Sequence, residues 1–292
     1  MNKKTSEQIT LNENRHTMLN IAILDLNAGL PNQGMRCIRQ ILQEWSADNG
    51  IAIQQDEFEV RLQNKVPDLS YDVYISSGGP GSPLEVSENG WEGSYFAWID
   101  SVLQWNANPA NSRKKSVFFV CHSFQLACRH LEVGEISKRR KTSFGVYPTH
   151  VTWAGQHEPV LRGLPDPFYV VDSREYQVCT SDADGLQAKG PVVLCVEKYR
   201  KHVDLPQALM ALRFNEYMIG TQFHPEADAR GMSMYLQRED KKQTVIENHG
   251  EAKWLSMIDQ LNDPDKIMWT YAHILPNFLN KAAKQLIPVL AV

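Results

Sequence analysis

The stretch Ser116-Val117-Phe118-Phe119-Val120-Cys121-His122-Ser123-Phe124-Gln125 decides the fold. Val117 to Val120 is a short apolar run of β-favouring residues, the pattern of a strand buried on both faces. Phe124 to Leu131 opens a helical stretch, so the chain turns sharply from strand to helix around Cys121. A residue on such a turn is presented to solvent at the positive end of the helix dipole, which favours a thiolate over a thiol. A core cysteine that merely follows an apolar strand has the same local sequence. The neighbouring segments therefore carry the decision.

Upstream, Asn20 to Asp25 reads as a buried strand, followed by a Gly/Pro/Asn loop and an amphipathic helix over Gln33 to Trp45. Met35, Ile38, Ile41 and Leu42 fall on one face of that helix. Ile51 to Val60 and Tyr71 to Ser76 read as further strands, and Trp91 to Trp105 as a helix. The aromatic residues Trp91, Tyr95, Phe96 and Trp98 are expected to pack that helix rather than hold a cofactor. Strands alternating with helices imply an α/β fold, a parallel sheet covered on both faces. In such sheets ligands gather at the carboxyl ends of the strands, where both Ser76 and Cys121 stand.

From Gly145 to Gln222 the pattern changes to short β-rich runs: Val146 to Trp153, Phe168 to Val171, Val192 to Val196, Ala208 to Phe214 and Met218 to Gln222. Turn residues split them, and their spacing predicts antiparallel hairpins added to the sheet edge. Beyond Ala229 the chain reads helical, in pieces broken near His249-Gly250 and Asp263-Pro264. Asp263 as cap and Pro264 at the first helical position start the last piece. Its apolar stripe is Ile267, Met268, Tyr271, Ile274, Leu275 and Phe278. Residues 1–18 lack apolar periodicity and read as a flexible tail.

Two further segments join Cys121. Ser76-Ser77-Gly78-Gly79-Pro80-Gly81-Ser82-Pro83 directly follows a strand and holds more small residues than a tight turn requires. Paired glycines allow positive φ and turn N–H groups toward a ligand. No Gly-Lys-Ser/Thr follows, which disfavours a phosphate loop. Gly220-Thr221-Gln222-Phe223-His224-Pro225-Glu226 ends the last strand. His and Glu two apart on extended backbone project to one side, so the carboxylate can hold one imidazole nitrogen while the other faces a nucleophile.

The remaining composition narrows the class. The chain has 292 residues, 42% hydrophobic and 22% charged, with a net charge of −4. Nothing there calls for a nucleic-acid partner. The basic cluster Lys138-Arg139-Arg140-Lys141 reads as a solvated loop. No apolar run approaches the length of a membrane helix, and no signal peptide is recognised at the start. The five cysteines form no CxxC pair, which fits core thiols in a reduced, cytoplasmic setting. His122 lacks a second thiol or imidazole at ligand spacing, so no metal is expected.

Taken together, the Gly-rich loop, the Cys elbow and the His-Pro-Glu stretch resemble class I glutamine amidotransferases, especially the glutaminase portion of GMP synthetase, over roughly Asn20 to Gly231. The resemblance implies a flavodoxin-like domain at residues 19–231, between the tail 1–18 and a helical extension at 232–292. It implies that Cys121 attacks a γ-glutamyl amide and forms a thioester, with His224 as base and then acid and Glu226 orienting His224. The N–H groups of Gly79 and His122 would form the oxyanion hole, and Gly78, Pro80, Ser82 and Gln125 would contact substrate. No cofactor is implied. The family elbow reads Gly-x-Cys-x-Gly-x-Gln, whereas Phe119 and Ser123 replace both glycines here, and Arg174 stands where a histidine is expected. The substrate is thus expected to be glutamine or another γ-glutamyl compound. No synthetase domain is recognised after the match, so a separate synthetase subunit is the expected ammonia acceptor, and the helical extension could form a homodimer. The alternatives are a γ-glutamyl hydrolase-like enzyme, and a non-catalytic module that keeps the fold.

Overall fold

Along β1 (Met18–Asp25), successive side chains enter opposite apolar layers: Ile21 and Ile23 join one, Ala22 and Leu24 the other. A strand buried on both faces carries no polar alternation, which is why it reads as a continuous apolar run. The structure, a computed structural model, describes residues 18–199, 201, 207–261, 263 and 266–286. The expected tail, apart from Met18, and Pro264 lie outside the described residues.

Five parallel strands form the first half of a nine-stranded sheet: β1, β2 (Ala52–Glu59), β3 (Val73–Ser76), β4 (Ser116–Val120) and β9 (Met218–Thr221), ordered β2-β1-β3-β4-β9. On one face lies α1 (Gln33–Asn49), started by Asn32, whose side chain accepts from the Gly34 N–H. Gly50 ends it in the left-handed region at φ 62°. On the other face lie α2 (Trp91–Ala107) and α3 (His122–His130). The aromatic residues of α2 pack as expected: Trp98 sits edge-on to Tyr74 at 5.3 Å and tilted against Tyr95 at 5.5 Å.

The second half is antiparallel and continues from β9: β8 (Leu209–Arg213), β7 (Val192–Glu197), β5 (Glu135–Val151) and β6 (Phe168–Cys179). The expected hairpins are present, but β5 starts earlier than its apolar pattern. Lys138 to Lys141, read as a loop, belongs to this strand and sits where its register with β6 shifts. A bulge lets a strand carry consecutive exposed charges, and Arg139 instead reaches back to Glu197 at 3.2 Å. β6 then returns to the parallel half, where Val171 C=O accepts from the His224 N–H at 2.9 Å.

The C-terminal region comprises α6 (Ala229–Leu236), α7 (Glu239–His249), α8 (Glu251–Leu261) and α9 (Ile267–Leu286), after the short α4 (Trp153–Gln156) and α5 (Ala183–Ala188). The additional break, at Gln237-Arg238, carries no Gly or Pro signal. Met232, Leu236, Val245, Met257 and Leu261 cover Val146 and Val171 from outside. α9 is built into the main core beside α1. Phe278 meets Phe118 edge-on at 5.2 Å, Trp45 Nε1–H donates to Asn280 at 2.9 Å, and Tyr271 bonds Glu44 at 3.0 Å. Of the predicted stripe only Met268 faces outward, 42% exposed. Among the described residues no helix is long and apolar enough to cross a membrane.

Candidate active site

Cys121 follows β4 with φ 48° and ψ −98°, angles an L-residue holds only where its surroundings over-determine them. Two grips do so. The Cys121 N–H donates to Thr221 C=O on β9 at 2.8 Å, and its C=O accepts from the Gln125 N–H at 3.0 Å. The strand ladder holds one side of the residue and the first turn of α3 the other. The thiol is nearly buried and points at the Ser173 C=O, 3.7 Å away, while Gln222 Nε2 approaches the sulfur at 3.9 Å.

His224 and Glu226 lie just past the end of β9, where an isolated bridge at His224 and a turn replace the extended backbone expected from the sequence. His224 Nδ1 is 2.8 Å from Glu226 Oε1, and Glu226 is 2% exposed. That carboxylate lies beside the N-terminus of α1, where a Cβ on Gly34 would stand 3.0 Å from Oε1. The positive end of a helix stabilises negative charge there. Gly78 marks where the three segments meet. A Cβ on it would lie 2.9 Å from His224 Cε1 and 3.5 Å from Cys121 Cβ. Burial alone would lower the pKa of His224, but the Glu226 carboxylate and the Cys121 sulfur together raise it well above the ordinary histidine value. The ring thus stands between the Glu226 carboxylate and the Cys121 sulfur.

The glycine loop is shaped by space more than by φ. Gly78 and Gly79 do not take positive φ; only Gly81 does, at 96°. A Cβ on Gly79 would sit 2.3 Å from the Leu26 carbonyl oxygen, so no larger residue fits that close approach. Among the described residues no acceptor takes the Gly79 N–H. As the first residue of α3, His122 has no intrahelical partner for its own N–H. The His122 side chain is buried, and burial, then Arg61 and Arg129, pulls its pKa down to about 3. Pro80 and Ser82 lie further along: Arg61 donates to the Pro80 C=O, and the Ser82 hydroxyl accepts from the Leu84 N–H at 3.2 Å. Gln125 is buried, and its amide donates to Tyr176 C=O at 3.1 Å and to Gln222 Oε1 at 3.2 Å. Among the described residues no cluster of His, Cys, Asp or Glu could hold a metal ion.

The family model for glutamine amidotransferase class-I matches residues 38–241. The chain belongs to that family. Its fold is shared with a glutamine amidotransferase from Thermotoga maritima, at 12% identity and TM-score 0.63, over 91% of this chain and 98% of that one. A glutamine amidotransferase from Methylobacillus flagellatus aligns at 14% identity and TM-score 0.57, over 91% and 95%. The glutaminase domain of Trypanosoma brucei CTPS, solved with bound acivicin, aligns at 12% identity and TM-score 0.56, over 91% and 94%. No curated protein sequence matches the chain. The parallel half of the sheet, with helices on both faces, is flavodoxin-like.

In this class-I family member Phe119 at the elbow lies beside a glycine on the neighbouring strand. Phe119 pairs with Gly220 on β9, and a Cβ on Gly220 would lie 3.1 Å from Phe119 Cβ and 2.8 Å from Phe124 Cδ2. The Phe119 ring packs edge-on to Phe214 at 5.8 Å. Arg174 turns away from the thiol into the interior. Its Nε donates to both Asp172 oxygens at 2.9 and 3.0 Å, and its Nη2 to Met210 Sδ at 3.5 Å. Three groups around the sulfur and Gln125 escaped the sequence reading: Gln222 and the Ser173 carbonyl, both facing the sulfur, and the Tyr176 carbonyl, which takes the Gln125 amide. Gln222 carried only a weak signal, its place two residues before His224 in the same stretch. The carbonyls carried none, because a backbone oxygen has no sequence signature.

Proposed function

We propose that Cys121, His224 and Glu226 hydrolyse the side-chain amide of glutamine. The observation that supports this best is the strained Cys121 elbow at the end of β4 facing the His224–Glu226 pair at the end of β9. The Cys121 thiol passes its proton to His224 as its sulfur attacks the amide carbon, and the tetrahedral oxygen is received by the N–H groups of Gly79 and His122. Preorganised donors of this kind are worth about 10²–10³ in rate. His224 then gives its proton to the departing nitrogen, the C–N bond breaks, and ammonia leaves behind a γ-glutamyl thioester on Cys121. Water attacks the thioester as His224 takes its proton, the C–S bond breaks, and glutamate is released. Glu226 keeps Nδ1 engaged and compensates the cationic ring through both steps. Gly78 borders the reacting atoms, Gln125 holds the γ-glutamyl group, and Pro80 and Ser82 shape the loop over it. A separate synthetase subunit takes the ammonia.

The test is mass spectrometry of products after incubating the pure protein with glutamine and a panel of γ-glutamyl compounds. Glutamate and ammonia from glutamine, absent with Cys121→Ser, are expected. Turnover of γ-glutamyl conjugates but not glutamine would move the assignment to a γ-glutamyl hydrolase. No turnover of any member, with or without synthetases, would leave a non-catalytic module.

A further inference from the structure

The β3–β4 ladder ends at the pair Ser76 and Phe119, and beyond it the two strands part to open the site. β3 continues into Ser77-Gly78-Gly79, and β4 into Val120 and Cys121. The Ser123 hydroxyl is inserted at the point of parting. It accepts from the Val120 N–H at 2.8 Å and donates to the Ser76 C=O at 2.8 Å, with the Val120 C=O as a second acceptor at 3.0 Å. The chain of bonds runs on, for Ser76 Oγ and the Tyr95 hydroxyl are 2.8 Å apart and Tyr95 also reaches Ser123. Ser76, Tyr95 and Ser123 are all fully buried, so bulk water cannot stand in for any of them.

We propose that Ser123 is a positioning residue, whose hydroxyl fixes the distance between the Cys121 elbow and the Gly78-Gly79 loop. The inference rests on the reading of Cys121 as nucleophile and Gly79 as oxyanion donor. Where the family elbow has a glycine, this chain spans the gap with its own side chain. Without that splice the Val120 N–H and the Ser76 C=O lose their shared partner, and the donor loop is free to shift relative to the sulfur. Shifts of about 1 Å in a reacting geometry cost on the order of 10²-fold in rate.

Ser123→Ala removes the hydroxyl and fills its place with a methyl group. Ser123→Gly leaves room for a water, which would find the Val120 N–H, the Ser76 C=O and the Tyr95 hydroxyl as partners. With glutamine as substrate, Ser123→Ala is expected to lower kcat by about 10- to 100-fold with KM held within about threefold. Ser123→Gly should recover most of kcat, and alkylation of Cys121 by iodoacetamide, which needs no oxyanion donor, should stay unchanged in both variants. Hydrogen exchange of the 77–79 amides should accelerate in Ser123→Ala and return toward the wild-type rate in Ser123→Gly. Tyr95→Phe, which trims the far end of the chain of bonds, should accelerate the same amides more weakly if Ser123→Ala does not fold. Unchanged loop exchange in the folded variants would overturn the proposal, as would equal losses in kcat, KM and alkylation. If wild-type protein releases no glutamate, the assignment of Cys121 fails, and loop exchange still decides the role of Ser123.

Discussion

Replacing Glu226 by Gln probes the charge in the site while keeping its shape. Nδ1 and Oε1 are 2.8 Å apart, and Glu226 is 2% exposed, so the carboxylate end of the pair is shielded from bulk solvent. Charge centres about 4 Å apart at an effective dielectric of about 20 attract by about 4 kcal/mol. If all of that were expressed in the transition state, the loss would approach 10³-fold in rate, at about 1.4 kcal/mol per factor of ten. The glutamine carbonyl oxygen still accepts from Nδ1–H, so ring orientation survives and a drop in kcat of about 10²- to 10³-fold is expected. The pH profile should change too. Glu226 is one of the groups that raise the His224 pKa, so the alkaline limb, where His224 loses its proton, should move to lower pH. The assay is glutamate release followed from mildly acidic to alkaline pH, with thermal unfolding as a control for folding. A kcat within about threefold of wild type, or an unmoved alkaline limb, would refute the assignment of Glu226 as the charge partner of a reacting His224.

Other outcomes follow from the same structure. The folded-state pKa of His224 is raised above its ordinary value of about 6.5, so its contribution to stability is complete below that pH and is lost as pH rises through the folded value. The stability gap between wild type and His224→Gln should accordingly narrow with increasing pH in urea titrations. Phe278→Ala, at a residue 3% exposed against Phe118, should cost about 3–5 kcal/mol by urea denaturation, as for any core aromatic. Gly79→Ala would place a methyl group 2.3 Å from the Leu26 carbonyl oxygen; a loss of about 1–3 kcal/mol in stability, with glutamate release reduced beyond it, is expected.

Much of this molecule was readable from pattern, and the limits have physical causes. The parallel strands were legible because burial on both faces forbids polar residues, as in Val117 to Val120. The elbow was legible because strand and helix patterns collide at one residue. β5 was harder: Lys138, Arg140 and Lys141 are exposed on a bulge, where a strand looks like a loop. The helix break at Gln237-Arg238 had no breaker residue to announce it. At the site, Phe119 brings bulk where the family elbow has a glycine, and the room beside it comes from Gly220, 101 positions away in the chain and met only through sheet register. Arg174 stands where the resemblance places a histidine, and strand parity turns it inward to Asp172. Ser123 replaces a glycine of the family elbow, and no local pattern announces that its hydroxyl bonds both the Val120 N–H and the Ser76 C=O.

The most direct test of the central claim is covalent trapping of the nucleophile. Wild-type protein treated with an electrophilic glutamine analogue and digested for mass spectrometry should carry one adduct, on Cys121, with glutamine protecting and Cys121→Ser abolishing it. His224→Gln should label far more slowly. Absence of the adduct, or an adduct on Cys37, Cys128, Cys179 or Cys195 that glutamine does not prevent, would contradict the account.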